Sequence, residues 1–181
     1  MGTIQSPTPV KLFFGMLSPE PSLFARCADI LCREYGPLDF ESGVWPWEKT
    51  GYYRAEMGAG LLRKFIFCER LIDPSQLPAV KIFTNAVEKE FTTAGSGPPR
   101  RRINIDPGYV TEAKVVLATT KDFSHRIYID GGIYAEVTLR YNTAGRDFTA
   151  FDYTYPDYRT DAYRTLFNNA RKLLRSAMKK S

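Results

Sequence analysis

Between Arg100 and Tyr141 the chain sets an acid, an amide, a guanidinium, its single imidazole and a second acid on segments that otherwise read as β-strand. Asn104 and Asp106 follow an arginine triplet, and His125 and Arg126 open the run H-R-I-Y-I-D-G-G-I-Y-A-E that ends at Glu136. Carboxylates from separate strands suit a hard cation such as Mg2+. Lysine and arginine neutralise phosphate oxygens, arginine through paired donors. An imidazole exchanges protons near neutral pH. The expected chemistry is a pocket for a phosphorylated ligand or nucleotide, with Mg2+-dependent phosphoryl or nucleotidyl transfer as its reactive form. Asp106, Glu136 and Glu56 are the candidate metal ligands, and His125 and Asp106 the candidate catalytic pair. Lys81, Asn85, Arg102, Asn104, Arg126 and Tyr128 are the candidate ligand-binding residues. Each has an ordinary alternative: Asp106 before Pro107-Gly108 is a good turn starter, and an Arg126–Glu136 pair on a wet face is worth ~0–1 kcal/mol.

These residues converge only if a sheet brings their segments together. Val10 to Leu17 is an apolar run suited to a central strand, and Ser18-Pro19 offers a helix start. Phe24, Cys27, Ala28, Leu31 and Tyr35 recur at helical spacing up to Gly36, which puts Cys27 in the core. Strands are expected over 38–47, 52–57 and 61–72. Asp73-Pro74-Ser75-Gln76 has the form of a capping box, before a helix over 78–91 with Val80, Phe83, Val87 and Phe91 inward. Lys81 and Asn85 then share a helix face. Residues 92–100 are expected to be flexible, as is the start, 1–9. A strand over 102–106 would end in a turn at Pro107-Gly108, with Asn104 and Asp106 on one side and Ile103 and Ile105 on the other. A last strand is expected over 146–158. Thr160 then caps a closing helix with Tyr163, Leu166, Phe167, Ala170, Leu174 and Ala177 on one stripe.

The hairpin around Asp130-Gly131-Gly132 sets its own register. A three-residue loop pairs Ile129 with Ile133, Tyr128 with Tyr134, Ile127 with Ala135 and Arg126 with Glu136. The apolar pairs then share the core face. Arg126, Tyr128, Tyr134 and Glu136 share the other, and His125 leans toward the core.

A chain of 181 residues, 44% hydrophobic and 25% charged, suits one globular domain. The order of elements predicts an α+β fold: an antiparallel or mixed sheet with two to three packed helices, ferredoxin-like in its first part, then a hairpin extension and a closing helix. A net charge of +5 permits an anionic partner without requiring one. Three cysteines without paired spacing argue against a disulfide scaffold, and no apolar run approaches a membrane span. A cytoplasmic protein without a membrane partner is expected.

The blocks Y-Y-R-A-E-M-G (52–58), K-I-F-T-N (81–85), R-I-N-I-D-P-G-Y (102–109), T-K-D-F-S-H-R-I-Y (120–128), Y-A-E-V-T-L-R-Y (134–141) and T-Y-P-D-Y (154–158) carry a resemblance. The chain resembles an uncharacterised bacterial domain-of-unknown-function family over nearly its whole length. The resemblance implies a single-domain bacterial protein and brings no activity, cofactor or catalytic assignment with it. Two other functions compete with the pocket. One is a non-catalytic RNA- or other nucleic-acid-binding module using Arg100–Arg102 and exposed tyrosines; the other is a structural or partner-binding domain whose polar strand face is simply solvated.

Overall fold

The computed structural model describes residues 2–47, 57–93 and 100–179. In chain order the elements are β1 (Val10–Ser18), α1 (Pro21–Tyr35), β2 (Leu38–Glu41), β3 (Trp45–Pro46), β4 (Leu62–Ile72), a 3-10 turn (Pro74–Gln76) and α2 (Leu77–Glu90). Then come β5 (Thr92–Thr93), β6 (Arg100–Arg101), β7 (Asn104–Val110), β8 (Lys114–Thr119), β9 (Ile127–Asp130), β10 (Ile133–Asn142), β11 (Asp147–Ala150) and α3 (Asp161–Met178).

β1 is buried at every position because both its faces are covered. Leu12, Phe14 and Met16 pack with Leu23, Phe24, Cys27 and Leu31 of α1 and with Val80 and Val87 of α2. Phe13 turns to the opposite face, where Phe65 and Phe67 of β4 meet Tyr163, Leu166 and Phe167 of α3. Phe13 and Phe167 meet edge to face with centroids 5.0 Å apart. The sheet is thus sandwiched between α1 and α2 on one side and α3 on the other.

Strand order is β11-β10-β8-β7-β1-β4-β2, with β3 beside β4 and β9 beside β10, and all these pairs are antiparallel. The run β7-β1-β4-β2, with α1 and α2 as its crossovers, is the split β-α-β arrangement of ferredoxin-like folds. β8, β10 and β11 extend the β7 edge, and α3 returns to cover the far face. The α+β expectation holds, and the sheet is open.

Local signals hold where short-range chemistry decides. Asp73 accepts from the Ser75 N–H at 2.8 Å while Gln76 accepts from the Asp73 N–H at 3.2 Å. The Thr160 hydroxyl accepts from the Tyr163 N–H at 3.4 Å. Three strand expectations need correction. Residues 38–47 make two short strands, because at Ser42 the hydroxyl replaces the carbonyl as acceptor of the Phe65 N–H, at 2.9 Å. β7 runs straight through Pro107-Gly108 with no turn there. β11 stops at Ala150, where Thr154 folds the chain back: its hydroxyl accepts from the Phe151 N–H at 2.9 Å and donates to the Thr138 carbonyl at 2.7 Å. The strand expected over 52–57 lies outside the described residues up to residue 56. Among the described residues no helix is long and apolar enough to cross a membrane.

Burial pushes the Cys27 and Cys68 thiols up to about 12, whereas Cys32 is only partly buried. A thiol titration with Ellman's reagent is therefore expected to label Cys32 in the native protein and the other two only after unfolding. Fast labelling of all three would contradict this packing.

Candidate ligand-binding site

The site exists because the sheet opens. β7 and β8 pair only from Gly108–Leu117 to Val110–Val115. Toward Asn104 on one strand and Thr119 on the other, no ladder joins them. On that side the Ile105 N–H donates to Glu88 Oε1 at 2.6 Å, and the Ile105 carbonyl accepts from Lys81 Nζ at 2.9 Å. Two side chains of α2, roughly two turns apart, thus stand in for the absent strand. Backbone groups two residues apart in a strand point the same way. Pro107 therefore directs its nitrogen to this side and has no hydrogen to offer. Next to it, Gly108 lets the strands close again: a Cβ there would lie 2.3 Å from the Val116 carbonyl oxygen and 2.6 Å from Phe13. Pro-Gly marks the point where the two strands part, and this is why the expected turn is absent.

The opening holds a cavity of ≈ 520 Å³, a volume typical of small-molecule sites. Its floor is Arg63 of β4, whose side chain is 4% exposed. Arg63 Nη2 donates to Asp157 Oδ2 at 3.3 Å, and Nη1 lies 3.6 Å from Asp106 Oδ2, while Nε and Nη1 make no hydrogen bond. Asp106 belongs to β7 and Arg63 to β4, with β1 between them. Gly15 of β1 pairs with Asp106 and presents no side chain to block the guanidinium, its would-be Cβ lying 3.3 Å from Nη1. Asp157 also accepts from Trp47 Nε1 at 2.9 Å. The neighbouring Tyr158 hydroxyl is buried without a partner, and burial pushes its phenol well above the ordinary range.

Asn104 and Asp106 lie on one face of β7, as strand alternation predicts, and Asn104 Nδ2 donates to Asp106 Oδ2 at 2.7 Å. Lys81 Nζ comes within 3.8 Å of Asp106 Oδ1. Arg101 Nη1 bridges Glu88 Oε2 at 2.8 Å and Asn104 Oδ1 at 2.9 Å. Burial raises the Glu88 carboxyl above its usual value although Lys81 and Arg101 pull it down.

The opposite wall centres on Glu136, 2% exposed. Its Oε2 accepts from Arg126 Nε at 2.9 Å and lies 3.1 Å from His125 Nε2. Arg126 also donates to the Lys121 carbonyl at 3.1 Å and to the Tyr155 hydroxyl at 2.9 Å, so it clamps three segments together. Which His125 nitrogen donates depends on the tautomer of the ring. The imidazole stacks on Tyr153 with centroids 4.3 Å apart and meets the edge of Phe123 at 5.3 Å. Phe123 and Tyr155 are exposed at this side.

Seven of the ten expected residues line this one cavity: Lys81, Asn85, Asn104, Asp106, His125, Arg126 and Glu136. Tyr128 does not; it is exposed on β9 against the edge of Tyr134. Arg102 turns away and pairs with Glu20, Nε to Oε1 at 2.7 Å. Glu56 lies outside the described residues. Arg101 and Arg102 both face carboxylates, whereas Arg100 is exposed. Among the described residues no three His, Cys, Asp or Glu side chains gather as a metal site.

The hairpin corrects part of the expected geometry. Tyr134 pairs with Tyr128 and Ala135 with Ile127, as expected, but Ile133 pairs with Asp130 and an irregularity follows. Gly131 and Gly132 both take positive φ, forming a two-residue turn, and the shifted residue restores the register. The faces differ too. Ile127 is 71% exposed on the edge strand β9, whereas Glu136 is buried beneath the segments 121–126 and 153–158. His125 precedes β9, so alternation does not govern it, and it sits with Arg126 on Glu136.

Sequence reasoning missed Arg63, Lys121, Tyr153, Tyr155, Asp157 and Tyr158, all on the cavity, and named Arg101 only within the arginine triplet. One signal was available for Arg63, a guanidinium at the start of the apolar run F-I-F-C in β4. No curated protein and no solved structure matches the chain. The family model described as domain of unknown function DUF4416 matches residues 8–174, a span that includes every residue of the cavity, and the chain belongs to that family.

Proposed function

We propose that this protein binds a small phosphorylated ligand of the nucleotide class in the hollow between β7 and β8. The observation that carries the reading is the charge of the lining. Five cationic side chains, Arg63, Lys81, Arg101, Lys121 and Arg126, line the hollow together with three acids, Asp106, Glu136 and Asp157, and Glu88 behind Arg101 is a fourth. Arg63 and Lys81 are buried, so their charge acts at low dielectric. Phe123 and Tyr155 add exposed ring surface against which a base can pack, while Tyr153 is already stacked between His125 and Phe151. Phosphoryl or nucleotidyl chemistry is the reactive extension of this reading, with His125 held by Glu136 as its proton acceptor.

Mg2+ belongs to the proposal as an ion brought in by the ligand's phosphates. Glu136 already spends its oxygens on Arg126, His125 and Thr138. Asp106 is the more exposed of the two, 27% against 2% for the side chains, and is the one to meet such an ion.

A thermal-shift screen with AMP, ADP, ATP, GTP and pyrophosphate, each with Mg2+ and with EDTA, tests the reading. A probe at a hundredfold excess over its Kd adds about 2.7 kcal/mol to stability, well within detection. Asp106→Ala separates the two roles by sign. If Asp106 holds Mg2+, the variant binds at least roughly tenfold more weakly in Mg2+. If it only balances charge, losing a carboxylate beside Arg63 and Lys81 tightens binding in EDTA. No shift with any phosphorylated probe would remove the proposal.

A further inference from the structure

The cavity floor contains two polar groups that the fold leaves unspent. Arg63 is a buried guanidinium that uses Nη2 on Asp157 but makes no hydrogen bond through Nε or Nη1. The Tyr158 hydroxyl is 2% exposed by residue and also has no partner. A buried donor left unpaired costs free energy comparable to a lost hydrogen bond. Both residues line the cavity, and their unpaired atoms lie just beneath its surface. Nearby donors are satisfied: Trp47 Nε1 reaches Asp157, the Asn104 amide reaches Asp106 and the Ile105 N–H reaches Glu88.

We propose that Arg63 and Tyr158 form the oxyanion seat of the pocket, the place where a terminal phosphoryl group of the ligand docks. This rests on the reading of the hollow as a phosphorylated-ligand site and adds where the charged end lies. Both groups donate: the guanidinium is permanently charged, and the buried phenol keeps its proton. Arg63 contributes two N–H directions and Tyr158 one, and Lys81 Nζ stands across Asp106 with donor capacity beyond the Ile105 carbonyl. The other end of the cavity is ringed by Phe123, Tyr153 and Tyr155. A ligand with phosphate at the floor and a flat ring at that end matches both. In this arrangement the seat belongs to β4 and the T-Y-P-D-Y segment, and the Arg100–Arg102 triplet is not the phosphate grip.

Tyr158→Phe tests the seat with little risk to folding, because it deletes only an oxygen that bonds nothing. Isothermal titration of wild type, Tyr158→Phe and Arg63→Lys with inorganic phosphate, pyrophosphate and AMP, and with adenosine as a probe lacking phosphate, reads the effect. Wild type is expected to bind the phosphate-bearing probes, and each variant to bind them at least roughly tenfold more weakly, the scale of one charge-assisted hydrogen bond. Affinity for adenosine is expected to stay the same in all three. The Tm of unliganded Tyr158→Phe is expected to stay level or rise by about 2 °C, since an unpaired hydroxyl has been removed. Wild-type affinity for pyrophosphate and AMP in both variants would overturn the seat while leaving the pocket reading intact. Failure of wild type to bind any phosphate-bearing probe would overturn both. A marked fall in the Tm of Tyr158→Phe would show that the hydroxyl is structural, and would overturn the seat by itself.

Discussion

Asp157→Ala is expected to lower stability by about 4 kcal/mol, read from the midpoint and slope of a urea titration. Its side chain is 6% exposed and collects three donors: Arg63 Nη2 at 3.3 Å, Trp47 Nε1 at 2.9 Å and the Tyr158 N–H at 3.1 Å. Removing it leaves a guanidinium buried with only Asp106, 3.6 Å from Nη1, to balance it. A buried ion pair contributes little net stability against an apolar replacement, because both charges had to leave water. Breaking one is costly, because a charge stays behind without its partner. The paired variant Arg63→Met with Asp157→Leu is therefore expected to be at least about 1 kcal/mol more stable than Asp157→Ala, despite losing more polar groups. A double variant as unstable as the single one would mean that Asp157 acts through its loop and not through Arg63. The same double variant is expected to lose the phosphoryl seat altogether, so that stability and binding separate in one chain.

The second large effect concerns the side chains that replace a strand. Glu88→Ala is expected to cost about 3 kcal/mol, because it orphans the buried Ile105 N–H and removes the carboxylate partner of Arg101. Glu88→Gln keeps an acceptor for Ile105 and is expected to cost about 1 kcal/mol. The dependence on pH follows from the raised Glu88 carboxyl, which burial lifts against the pull of Lys81 and Arg101. Its folded-state value lies above the unfolded one. The stability tied to protonation is thus fully present below the ordinary carboxylate range and is lost as pH rises through the folded-state value. Glu88→Gln has no such term. Its deficit against wild type is expected to be larger in acid than at neutral pH, in urea titrations on either side of that window. A deficit that grows toward neutral pH would show the opposite shift.

Much of this protein was legible from residue order. Helical spacing placed Cys27, Val80 and Phe167 inward, a proline-containing capping box started the 3-10 turn that precedes α2, and Thr160 started α3, because each of these depends on neighbours a few residues away. The unbroken apolar run of β1 announced a strand covered on both faces. Alternation put Asn104 and Asp106 together, and helical spacing put Lys81 and Asn85 together, so these four residues of the cavity were legible in the sequence.

Tertiary structure alone decided that the hollow exists and what its floor is. Pro107-Gly108 reads as a turn in isolation, because proline cannot extend a ladder and glycine bends freely. In place, β1 holds one edge of β7 and α2 supplies Lys81 and Glu88 to the other, so the same dipeptide parts two strands without ending either. Arg63 and Tyr158 lie far apart in the chain and meet only because β4 and the segment before α3 pack on one face. Local sequence determines which way a side chain points from its own strand; which distant group it then faces, and whether that group is already paired, depends on contacts that the fold creates.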